Sequence, residues 1–157
     1  MKLLARKVLE DCRVAHGMME LEIDPVRLRV QWIGALALIR LVGDVLHKID
    51  SKSLPYLKTD IKSHWNEIKN SDEPIFWKFI KGARDRAVHE YEIDLYDKSE
   101  VFIAVMRPDG IVHNDRLDAC MFMPLQGGYG AGEDARDIYL KAICWWDHQL
   151  SQFEGLS

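Results

Sequence analysis

Arg84, Asp85, His89 and Tyr91 fall within the short segment Gly82-Ala83-Arg84-Asp85-Arg86-Ala87-Val88-His89-Glu90-Tyr91. Arginine offers a planar fork of N–H donors to phosphoryl oxygens that gain negative charge. Histidine titrates near neutral pH, so it can take a proton from a hydroxyl or give one to a leaving oxygen. Together these types suit cleavage of a phosphodiester by a neighbouring 2′-hydroxyl, a reaction that needs neither metal nor cofactor. Asp85 lies four residues before His89, within reach on a helix to hydrogen-bond the imidazole and fix its tautomer. Lys78, Lys81, Arg84 and Arg86 form a basic stretch that can attract phosphate locally.

A helix must carry these groups. Asp72-Glu73-Pro74 is an acidic start with proline at a first helical position, and Ile75, Phe76, Phe79, Ile80, Ala83, Ala87 and Val88 follow on a shared apolar face. On an ideal α-helix Arg84 and His89 lie about 140° apart, so one continuous helix does not aim both at one phosphate. Either the helix frays near Val88, or the pair is completed across a two-fold dimer, and the dimer is the preferred reading. Helix one and the last helix also carry more apolar residues than one small bundle covers, which points to a homodimer. Arg84 and Tyr91, seven apart, return to one face, which predicts an accessible Tyr91 hydroxyl near Arg84.

Around that helix the spacing predicts four more. Leu4, Val8, Leu9, Cys12, Ala15 and Met19 form one stripe over residues 2–19. Asp24-Pro25 opens the longest periodic segment, ending near Asp50, whose apolar residues wrap much of its circumference and mark the central element. Ser53-Leu54-Pro55 starts a third helix ending at Asn70-Ser71-Asp72. After Tyr91 the period changes. Val101 to Met106 is β-branched and apolar, and Arg107-Pro108-Asp109-Gly110 is turn chemistry, so a β-hairpin inserts at about 99–125, returning through Ile111-Val112 or Cys120 to Met123. Gly127 to Gly132 then predicts a flexible connector, and Asp134 caps a last helix from about Ala135 to Phe153.

The whole is a single mainly α domain over 1–157. Its 48% hydrophobic and 29% charged content is that of a globular chain. A net charge of −4 excludes a molecule built throughout to hold long nucleic acid, so any such contact is local. The run Trp32 to Val42 is broken by Arg40 and falls short of the roughly 20 residues that span a bilayer. The N-terminus does not read as a signal peptide, and three scattered cysteines predict reduced thiols. The expectation is a cytoplasmic protein with no membrane span.

The motif of arginine, four residues, histidine, one residue and tyrosine resembles that of the HEPN family (higher eukaryotes and prokaryotes nucleotide-binding). The likeness covers the motif sharply and the helix order of 1–91 and 135–153 loosely. It implies an up-and-down helical bundle of about five helices, dimerisation and metal-independent RNA cleavage, as in the ribonuclease toxins of toxin–antitoxin or defence systems. It implies catalytic roles for Arg84 and His89 and a modification role for Tyr91; Asp85, by its spacing to His89, joins the catalytic candidates, and Arg86 and Lys81, by their charge, are substrate-binding candidates. Tyr91 resembles the tyrosine that a nucleotidyltransferase antitoxin adenylates in some toxin pairs. Asp85 stands where the family frequently has asparagine, putting a negative charge beside the phosphate. The rival reading is a non-catalytic HEPN-like dimeric module that binds nucleotide, RNA or protein.

Other candidates carry less. Cys12 and His16 could share a metal, but no second ligand pair supports them, and a buried cysteine is the plainer account. The glycine-rich stretch lacks the lysine-serine ending of a phosphate loop, and Glu133-Asp134 follow it. Trp145-Trp146 could stack bases, though core or interface packing is the expectation.

Overall fold

The computed structural model describes residues 3–95, 101–117 and 122–155. It is a mainly helical bundle of five helices with a small two-stranded antiparallel hairpin. α1 is Leu4–Leu21 and α2 is Pro25–Val45, prolonged by a π-helical turn at Leu46–Asp50 and a short Ser51–Ser53. α3 is Lys58–Asn70, entered through a 3₁₀ turn at Pro55–Leu57. α4 covers 75–90, and α5 is Ala135–Glu154. Strands β1 (Val101–Met106) and β2 (Val112–Leu117) pair in a register that sets Val101 opposite Leu117 and Met106 opposite Val112.

Local chemistry explains the boundaries. Asp24 accepts from the N–H groups of Val26 and Arg27, satisfying donors that the first turn of α2 leaves open. Asp134 does the same for Arg136 at the start of α5. α1 lacks a cap of its own, and Asp50 supplies one from the far end of α2: its carboxylate accepts from Leu4 N at 3.0 Å and Ala5 N at 2.9 Å. That long-range contact ties the start of α1 to the end of α2.

α2 is the central element. Trp32, Leu36, Ile39 and Val42 are buried, and two aromatic tips from α5 bond its carbonyls, Tyr139 Oη to Ala35 O and Trp146 Nε1 to Ile39 O, both at 2.9 Å. By length and composition residues 25–53 could also cross a bilayer. Here they are the helix around which the others pack. α4 runs against α2 in the opposite sense, with Phe76 beside Arg40 and Phe79 beside Trp32. Its last turns therefore reach the start of α2, near the α1–α2 connection. Trp146 is wholly buried and Trp145 packs partly buried on Phe76, so neither offers a stacking face of its own.

The hairpin returns by the first of its two expected routes, through Val112, and one other expectation changes. The return strand of the hairpin is Val112–Leu117, while Cys120 lies outside the described residues. The glycine-rich segment is a folded loop rather than a slack connector. Leu125 N bonds Glu133 O at 3.0 Å and Gly132 N bonds Leu125 O at 2.8 Å, closing the loop on itself.

Candidate active site

The helix that carries the motif is not wound as an α-helix. Ile75–Ala83 and Arg86–Glu90 are π-helical, with only Arg84 and Asp85 between them in α-type bonding. π winding closes hydrogen bonds between residues five apart, so it turns less per residue than an α-helix and brings residue i+5 nearer to the face of residue i. Arg84 and His89 are five apart. Their side chains meet, Arg84 Nη1 lying 3.3 Å from His89 Nε2. The expectation that one helix could not aim both is thus overturned, and a partner chain is not needed to bring them together.

Asp85 is revised as well. It stands four residues before His89, but its oxygens accept instead from Arg84 Nη1 at 2.8 Å and Lys81 Nζ at 3.1 Å. Arg84 is placed between the acid and the imidazole. Asp85 therefore positions the arginine, and no hydrogen bond among the described residues joins it to His89. Burial pushes the Asp85 carboxyl up, but hydrogen bonds and charge from Arg84 and Lys81 outweigh that and hold it below the usual carboxylate range. Asp85 is the anionic member of the set.

An arginine can only donate, so the contact uses a lone pair on His89 Nε2 and puts the ring proton on Nδ1. His89 is exposed, and the Arg84 side chain keeps 30% of its surface. Arg84 Nε is buried without a hydrogen-bond partner, and no described residue bonds Nη2. The arginine therefore has donor capacity left over.

The remaining predicted residues divide. Lys81 joins the set through Asp85, and its ammonium also sits 5.8 Å from the centre of the Trp77 ring. Arg86 belongs elsewhere: it pairs with Asp94 and lines a groove of about 560 Å³ with Trp77, Lys78, Gly82, Gly128 and Tyr129. Tyr91 is 69% exposed, but the helix has ended before it and its backbone is left-handed, with φ 56°. Helical spacing therefore no longer sets its side chain, and among the described residues no hydrogen bond joins it to Arg84.

Sequence reasoning missed Trp77, Gly128 and Tyr129. The available signal was an aromatic residue amid glycines in the 127–132 loop. A signal for the π winding also existed in Gly82, a glycine inside a helix. A Cβ there would stand 2.9 Å from the carbonyl oxygen of Trp77, five residues back. Cys12 is buried, His16 is stacked on the Tyr139 ring, and among the described residues no three metal-binding side chains converge. Comparison of the chain with protein-family models, curated proteins and solved structures gives no match.

Proposed function

We propose that the chain is an HEPN-like ribonuclease that cleaves RNA without metal, acting through Arg84 and His89. The observation that carries this reading is the 3.3 Å contact between Arg84 Nη1 and His89 Nε2 on the solvent side of α4. An incoming phosphate competes for the donors of Arg84 and frees the Nε2 lone pair. That lone pair then takes the proton of the 2′-hydroxyl as its oxygen attacks phosphorus. The Arg84 fork faces the charge that develops on the phosphoryl oxygens. The attack breaks the bond to the 5′-oxygen, which takes a proton from water as it leaves, the proton held by His89 returns to solvent, and a 2′,3′-cyclic phosphate remains.

Partners follow from the same reading. Val14, Met18 and Leu21 of α1 and Val26 and Val30 of α2 are exposed around the α1–α2 connection, the end of the bundle that α4 reaches. A second copy covering that apolar surface gives the homodimer. Tyr91, exposed beyond the helix, is the residue a nucleotidyltransferase antitoxin would adenylate, setting an anionic adduct beside the cleft.

The test is incubation of purified protein with single-stranded RNA in chelator. Cleavage that leaves a 2′,3′-cyclic phosphate or its hydrolysis product is expected. Intact RNA after hours with both the wild type and Asp85→Asn would instead favour a non-catalytic module that binds RNA, nucleotide or protein. The hold of Asp85 on Arg84 is the feature that argues for that second reading.

A further inference from the structure

The groove beside the motif combines features that the Arg84–His89 pair does not use. It is lined by two aromatic residues, Trp77 from α4 and Tyr129 from the glycine-rich loop. Its cations are Lys78, which pairs with no acid among the described residues, and Arg86, whose Nη2 donates to Asp94. Gly82 and Gly128 keep it open. Gly128 has φ +72°, and a Cβ there would stand 3.1 Å from Arg86 Nη2, closing the gap between loop and helix. The acids that follow the loop do not oppose an anion in the groove, because Glu133 is held by Lys141 and Asp134 by Arg136. The volume lies within the ~300–1,000 Å³ of small-molecule sites.

Aromatic walls and cations side by side match one ligand chemistry, a nucleobase joined to a phosphate. An acidic peptide would use the cations and leave the rings idle. The groove also connects to the motif. Trp77 lines it and faces Lys81, Lys81 bonds Asp85, Asp85 bonds Arg84, and Arg84 meets His89. This line of contacts runs along α4 from Trp77 to His89, passing through the adjacent pair Asp85 and Arg84.

We infer that the groove is a subsite for single-stranded RNA, in which a base lies against Trp77 and Tyr129 and the adjoining phosphate meets Lys78 and Arg86. The inference rests on the reading of the motif as RNA-directed and gives it a substrate register. The strand enters at the groove, and the bond to be broken lies toward His89.

Binding is measured by fluorescence anisotropy of a short labelled 2′-O-methyl RNA, which lacks the attacking hydroxyl and cannot be cleaved. Trp77→Ala weakens binding about tenfold or more, as loss of a stacking face does. Trp77→Phe keeps most of the affinity, which separates stacking from a folding defect. Lys78→Gln weakens binding and lowers the salt slope by about one. Lys58→Gln, on an exposed lysine of α3 outside the groove, changes neither. Unaltered affinity in both Trp77→Ala and Lys78→Gln overturns the subsite. So does adenosine monophosphate displacing the strand at its own concentration, which would make this a mononucleotide site. Cleavage of natural RNA with unaltered affinities would remove the subsite and leave the catalytic proposal standing. Tight, Trp77-dependent binding without cleavage would do the reverse.

Discussion

Asp134 and Asp85 each hold an arginine, and the two regions use the pair in opposite ways. Asp134 is buried, and its oxygens accept from Met123 N, Arg136 N and the Arg136 side chain, so both oxygens are committed to joining the loop to α5. Asp85 is half exposed and accepts from two cations, while the Arg84 it holds keeps one donor nitrogen buried without a partner and another unbonded. The first pair is closed by its surroundings. The second is organised but incomplete, which is the state expected of a group that must still meet a ligand. A saturated ion pair stabilises a fold; a pair with donors to spare can bind.

Substitution separates the two regions. His89→Ala should slow RNA cleavage by roughly 10²–10⁴-fold, the usual range for a general acid or base, and Arg84→Ala should be comparably severe. Both side chains are partly or fully exposed, so the melting temperature should stay near that of the wild type. A large drop in stability alongside lost cleavage would break the comparison. Asp134→Ala should act the other way, costing about 2–4 kcal/mol in denaturant unfolding because it removes a helix cap and one side of a buried ion pair. Cleavage per folded molecule should be retained.

Acid sharpens the contrast. Burial pushes the Asp134 carboxyl up, but hydrogen bonds from Arg136 and Met123 and the arginine charge outweigh it, so the folded value lies below the ordinary 3.8. A carboxylate depressed in this way contributes stability above 3.8, and loses it as pH falls from there through the lower folded value. Melting followed down from neutral pH should decline in that window, and Asp134→Asn should flatten the decline. The smallest effect is expected at Asp85→Asn. An acceptor for Arg84 remains while a negative charge beside the phosphate is removed, so cleavage should rise, by no more than about fivefold for a half-exposed pair.

Much of the fold was legible. Asp24-Pro25 and Asp134 announce helices through capping chemistry, Pro74 announces one as a proline at a helix start, and the turn at Arg107 to Gly110 announces the hairpin; all lie where those residues place them. Of the candidate site residues, Lys81, Arg84, Asp85 and His89 come together while Arg86 and Tyr91 stand apart, and the geometry was not legible. Apolar spacings of three and four, as in Phe76, Phe79, Ile80 and Ala83, do not separate α from π winding, because the difference lies in which carbonyl each N–H chooses. Only Gly82 carried a trace of it. For that reason α-helical spacing points to a second chain for joining Arg84 to His89, and to His89 rather than Arg84 and Lys81 as the partner of Asp85. The groove was hidden for another reason: Trp77 and Tyr129 are far apart in sequence, and only the closed 125–133 loop brings them together.

The central claim is that Arg84 and His89 of the same chain form one cleaving unit. Mixing the inactive Arg84→Ala and His89→Ala proteins, after unfolding and refolding them together, tests it most directly by the rate of RNA cleavage. A site within one protomer leaves every chain defective, so the mixture should be as slow as either variant alone. Recovery of a substantial share of wild-type activity would mean that an intact arginine from one chain and an intact histidine from another make the site, and would contradict the account.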